Sequence, residues 1–254
     1  MIIVDTHCHI GLHKYEPVES LLYHMENSGV DKAVFIQYAG NSDNRYIIEC
    51  QRAHPGTFQA AMIVDPSDDG RDIRKWASQG IVGIRLPAAS QATGPDPLVQ
   101  WRTAAQLGLI VSAPSNPRAL LGENFAAVLK ECPELSIVIE HLGGIGQDQD
   151  SPFETFKQIL EFSQYPNLTI KMPGFGEFCR VPLPFDPIPP LVDMTLEAFG
   201  PRRVMWGSDY PPVSGREGYD NSLAVPMEYL AKLSEEDREW IFGKTALQVW
   251  RFDT

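Results

Sequence analysis

The 254 residues carry 21 basic and 33 acidic side chains, a formal net charge of −12, with 43% hydrophobic content. That acidic balance disfavours nucleic acid or anionic membrane as the main partner, because both are bound by Lys/Arg surfaces. The length suits one large domain, residues 1–254, that can bury its core without disulfides.

Read in chain order, the first strand, 2–7, opens apolar and runs into Asp5-Thr6-His7-Cys8-His9. Along a strand, residues i and i+2 share a side, so His7 and His9 can converge on one point while Cys8 turns away as a packing residue. Paired imidazoles hold a transition metal or aim hydrogen bonds at a substrate. A helical stretch over 18–25 is stopped by Gly29. Strand 33–38, helix 44–53 and strand 58–64 follow, then a helix through Ile73 and Trp76 and strand 80–87. Helix 98–107 leads to strand 109–114, and helix 119–130 leads to strand 135–141. Strands 168–172 and 203–209 complete the set, and helices from 222 and over 235–250 close the chain. The near-continuous apolar runs are those of parallel strands buried on both faces. Alternation of strand and helix without a linker predicts an α/β fold, a (β/α)8 TIM barrel. A doubly wound sheet is the alternative, but no glycine-rich phosphate turn follows an early strand. The proline-rich stretch 181–190 follows the seventh strand and reads as a long active-site loop.

Cys8, Cys50, Cys132 and Cys179 form no Cys-x-x-Cys pair, which argues against a disulfide framework or zinc ribbon. With no signal-like segment before the first strand and no membrane-length apolar run, a cytoplasmic protein is expected.

The polar residues gather where barrel sites form, at the carboxyl ends of strands. His7 and His9 end the first, Gln37 and Tyr38 the second, Arg85 the fourth, His141 the sixth and Asp209 the eighth, while Lys171 lies on the seventh. Asp209 could cap the following turn, but is expected to be the general base that takes a proton from water. His141 is expected to be catalytic or a ligand, and Glu140, alternating away from it, to face the helix layer. Arg85 and Lys171 are costly inside a barrel unless paired, and read either as structural ion pairs or as anchors for a substrate carboxylate. Tyr38, Asp43 and Asn44 could contact substrate or cap the next helix; His13, His24 and His54 look unremarkable.

Asp5-Thr6-His7-Cys8-His9, Ile139-Glu140-His141-Leu142-Gly143-Gly144 and Trp206-Gly207-Ser208-Asp209-Tyr210-Pro211 together resemble the amidohydrolase superfamily. More narrowly, they are similar to its amidohydrolase-related group of 2-pyrone-4,6-dicarboxylate lactonases, sugar-acid lactonases and metal-dependent decarboxylases. The resemblance implies a metal role for His7, His9, Asp209 and His141, and a proton-transfer role for Asp209 and His141. It also implies one divalent ion, zinc or manganese, although the histidine that relatives place at the end of the fifth strand is absent. A metal-free scheme, with the histidines polarising a carbonyl directly, is the alternative it implies. The expected activity is hydrolysis of a small carboxylated lactone held by Arg85, Tyr38 and Lys171. The other readings are a metal-dependent nonoxidative decarboxylase and a non-catalytic binding barrel. A small-molecule substrate and a homo-oligomer are the partner expectations.

Overall fold

The computed structural model describes residues 1–147 and 150–252. Its strands are β1 (Val4–Cys8), β2 (Lys32–Ile36), β3 (Phe58–Met62), β4 (Gly83–Arg85), β5 (Ile110–Ala113), β6 (Ile137–Ile139), β7 (Leu168–Met172) and β8 (Val204–Trp206). Each pairs in parallel with the next in sequence. A parallel bridge between Cys8 and Tyr210 carries the order round toward closure. There the Asp209 N–H donates to the His7 carbonyl and the His9 N–H to the Tyr210 carbonyl, each at 2.8 Å. This is the expected (β/α)8 barrel.

Two buried layers follow from the sequence pattern. Val4, Val34, Ala61, Ile110, Val138 and Met205, one from each of six strands, form an inner cluster with Trp250. The larger cluster, which includes Cys8, Phe35, Ala60 and Ile170, packs the strands against the helices. Trp250 plugs the inner cluster beside β4: a Cβ on Gly83 would lie 2.6 Å from its ring, so only glycine fits there.

The helix Val18–Ser28 ends at Gly29, whose φ of 69° gives the left-handed stop that its sequence position foretold. The expected helix 119–130 is instead two pieces, Pro117–Leu120 and Glu123–Glu131, separated by the extended Gly122. Helices Glu154–Leu160 and Leu191–Phe199 add to those the sequence pattern predicts; the second begins directly after the proline-rich stretch. The strands are also shorter than the apolar runs. β6 stops at Ile139 and β8 at Trp206, so His141 and Asp209 stand on the connections beyond them. Among the described residues no helix is long and apolar enough to cross a membrane.

Candidate active site

The pairing of β1 with β2 shifts register between Asp5 and Cys8. Val4 belongs to the inner cluster and Cys8 to the outer one, which unbroken alternation would not allow. The irregularity re-phases the strand and turns His7 and His9 inward together, as bulges near active sites commonly do. Cys8 faces out, with its Sγ 3.3 Å from the Val34 carbonyl. Beneath the imidazoles, the buried Asp5 carboxylate fastens β1 to the turn after β8. It accepts from the N–H groups of His7 (3.0 Å) and Ser208 (2.9 Å), and from the hydroxyls of Ser208 (2.6 Å) and Tyr219 (3.1 Å). Gly207 permits this closeness: a Cβ there would lie 2.8 Å from His7 Cβ.

Asp209 Oδ1 lies 3.8 Å from His7 Nε2 and 3.5 Å from His9 Nε2. The His9 Nδ1 is 2.6 Å from the Ile36 carbonyl. A carbonyl only accepts, so Nδ1 carries a proton, and Nε2 faces Asp209. His9 is steadied by stacking on Tyr15, with ring centroids 5.2 Å apart and planes at 11°. Burial pushes the Asp209 carboxyl up, but the His9 ring, His141 and Arg216 outweigh it and hold it below the usual carboxylate range. Asp209 has a backbone φ of 60° and His141 one of 50°. Left-handed backbone costs an ordinary residue about 1–2 kcal/mol, and such strain concentrates at functional sites.

His7 is fully buried. Its Nδ1 lies 3.0 Å from the Lys171 ammonium, and its Nε2 has no hydrogen-bond partner among the described residues. Burial pulls the His7 pKa well down, and the charge of Lys171 adds to that. Lys171 has no exposed surface, and its Nζ meets the site through His7.

Glu140 corrects a second expectation. It is not in the helix layer but points into the barrel, because its phase is set by Val138 of the inner cluster, two residues earlier. His141 was the wrong reference, since its positive φ breaks the alternation. Glu140 takes both prongs of Arg85 (Nε–Oε1 3.1 Å, Nη2–Oε2 2.8 Å) and the Ser112 hydroxyl at 2.6 Å. Thus β5, which lacks the histidine of the family pattern, contributes Ser112 to this pair. Arg85 keeps 13% of its side chain exposed, and donates from Nη1 to the Gln37 carbonyl at 3.3 Å.

His141 begins a run of four residues with positive φ through Gly144. A Cβ on Gly144 would lie 2.0 Å from the Ser115 carbonyl, so that position admits glycine alone. The turn sets the His141 ring 4.3 Å from that of His7 and its Nδ1 3.1 Å from Glu177 Oε2. Burial lowers the His141 pKa, but Glu177, Asp209 and Glu140 together raise it above the ordinary histidine value. Arg216, on the loop after β8, spans Asp209 Oδ2 at 3.4 Å and Glu177 Oε2 at 3.9 Å.

Tyr38 stands edge-on to Tyr15, with centroids 5.3 Å apart. Asn44 is structural: its Oδ1 accepts from the Ile63 N–H (3.1 Å) and its Nδ2 donates to the Ile63 carbonyl (2.8 Å). Asp43 caps the next helix, accepting from the Arg45 N–H at 3.1 Å. Sequence reading missed Asp5, Tyr15, Ser112, Glu177 and Arg216. Asp5 had a signal, its place in Asp5-Thr6-His7; Tyr15 and Arg216 lie in loops, and Glu177 ends the short 3-10 helix Phe175–Glu177, without one.

The ligand atoms of His7, His9 and Asp209 lie within 4.8 Å of one another, as do those of His7, Glu140 and His141. The first set fits a metal ion better, because His9 Nε2 is aimed inward and His7 Nε2, buried without a partner, can ligate when Lys171, pulled down to about 8 by burial, is neutral and accepts from His7 Nδ1. In the second, Glu140 is already matched by Arg85.

The amidohydrolase family model matches residues 4–252. The chain is 25% identical to L-fucono-1,5-lactonase of Burkholderia ambifaria, with 90% of this chain and 83% of that protein covered. It is 21% identical to 4-sulfomuconolactone hydrolase of Hydrogenophaga intermedia, over 87% of this chain and 77% of that one. Its fold matches an amidohydrolase from Burkholderia multivorans with bound Zn at a TM-score of 0.82, 17% identity and complete coverage of both chains.

Proposed function

Because the chain belongs to the amidohydrolase family, we propose that it is a hydrolase that opens a small carboxylated lactone. The observation that carries this reading is the convergence of His7 Nε2 and His9 Nε2 on the ionised Asp209 at the barrel mouth. Asp209 takes a proton from water as the water oxygen attacks the ring carbonyl carbon. The acyl C–O bond then breaks, and His141, whose pKa Glu177 raises, returns a proton to the departing ring oxygen. The exposed edge of Arg85 pairs with the substrate carboxylate, and Tyr38 borders the same mouth. Lys171 fixes the orientation of His7.

His7, His9 and Asp209, with His141 beside them, would hold one divalent ion, zinc or manganese. When bound, that ion would polarise the carbonyl and acidify water. All four cysteines are free and buried, which suits a reducing cytoplasm as the working compartment.

The test is a panel of carboxylated lactones followed by pH-stat, with elemental analysis and a chelator arm. The expected result is release of one acid equivalent per turnover, with activity lost in Asp209→Asn. Carbon dioxide release without ring opening overturns lactone hydrolysis in favour of decarboxylation. Full activity after complete metal removal overturns the ion.

A further inference from the structure

The catalytic groups occupy the axis, but a larger cavity lies to one side, beyond the carboxyl ends of β2 to β5. It is a groove of about 680 Å³, within the range that encloses small organic ligands. Arg85 lines it and pairs inside the barrel with Glu140, so the groove adjoins the site at Arg85. Its apolar wall is Ile63, Val64, Pro66, Leu86, Pro87 and Pro114. The charged side chains on it are Arg85 and Asp65. Beyond its bonds to Glu140 and the Gln37 carbonyl, Arg85 keeps one exposed edge, enough for a single carboxylate, and the Asp65 carboxylate accepts from the Ser67 N–H (2.8 Å) and hydroxyl (2.6 Å). The other polar lining groups, such as Ser42, Gln91 and Asn116, are neutral. A second anionic group on the substrate would therefore meet an apolar wall and one acidic residue, with no cation to offset its desolvation.

We infer that the substrate carries a single anionic group, bound at Arg85, and an uncharged, mainly apolar body lying in this groove. The inference rests on the proposed hydrolysis only for which end of the molecule reacts. It excludes di- and tricarboxylated lactones as preferred substrates.

Calorimetric titration of the full chain tests this with two probes, 4-phenylbutanoate (one carboxylate, apolar arm) and adipate (a carboxylate at each end). Ala39, exposed on the groove rim and outside the catalytic machinery, gives the blocking variant Ala39→Trp. The expected result is 4-phenylbutanoate binding at least about tenfold tighter than adipate, and about tenfold weaker binding of it by Ala39→Trp. Adipate binding as tightly, no 4-phenylbutanoate binding at millimolar concentration, or indifference to Ala39→Trp each overturns the groove assignment. Lactone opening is read separately. The expected binding pattern with no lactone opened sinks the hydrolase reading and keeps the groove; opening of dicarboxylated lactones as fast as aryl-substituted monocarboxylated ones does the reverse.

Discussion

Arg85 and Glu140 meet inside the barrel as a two-pronged ion pair, at 3.1 and 2.8 Å, that joins β4 to the end of β6. Burial pushes the Glu140 carboxyl up, yet Arg85 and Lys171 outweigh it and hold it at about 2, against an ordinary 4.5. A depressed carboxylate contributes stability above its unfolded value and loses it as pH falls through its folded value. Wild-type stability is therefore expected to drop between pH 4.5 and about 2, with Glu140 alone worth on the order of 3 kcal/mol. In Glu140→Gln this part of the acid slope disappears, and stability at pH 7 falls by about 3 kcal/mol because Arg85 is left buried without a counter-charge. Urea midpoints at pH 7 and pH 3 check both; identical slopes in the two proteins would remove the ion pair from the account.

Asp209→Asn keeps the shape of the side chain and removes the base. The expected outcome is a kcat decrease of about 10³-fold with KM within a few-fold of wild type. Retained kcat would assign the proton transfer to another group.

Glu177 raises the pKa of His141, so losing it lowers that pKa. The protonated form then disappears at a lower pH. In Glu177→Gln the alkaline limb of the kcat profile is expected to move to lower pH, while the acid limb, set by Asp209, stays in place. An unmoved alkaline limb would mean that His141 is not the proton donor.

Lys171→Met deletes the hydrogen-bond partner of His7 Nδ1, leaving Glu140 Oε1 at 4.0 Å, and keeps the packing volume. The imidazole is then free to carry its proton on either nitrogen. A fall in kcat of about 10²-fold is expected, with a folded protein by circular dichroism and unchanged affinity for a carboxylate inhibitor. A weakened inhibitor with kcat intact would return Lys171 to substrate binding.

Gly207→Ala places a methyl 2.8 Å from His7 Cβ and 3.1 Å from Lys171 Cδ. It is expected to destabilise by about 1–3 kcal/mol and to lower activity by displacing His7. Melting temperature and kcat read the two effects independently.

The sequence by itself determined the barrel, because eight apolar runs separated by helical stretches can be buried together in few ways. It also brought His7, His9, His141 and Asp209 to one mouth, since strand ends in such a barrel share one face. What alternation could not determine was direction wherever the backbone departs from a regular strand. The register shift inside β1 re-aims two imidazoles, and the left-handed residues at His141 and Asp209 start connections whose side chains obey no period of two. Glu140 was misread for that reason, its true phase being fixed by Val138. Arg85 and Lys171 stood as costly charges in the sequence, and only the tertiary structure decided their partners. Those partners, Glu140 and His7, lie 55 and 164 residues away along the chain. A buried charge is settled by the group that reaches it in space, and no local pattern encodes that contact.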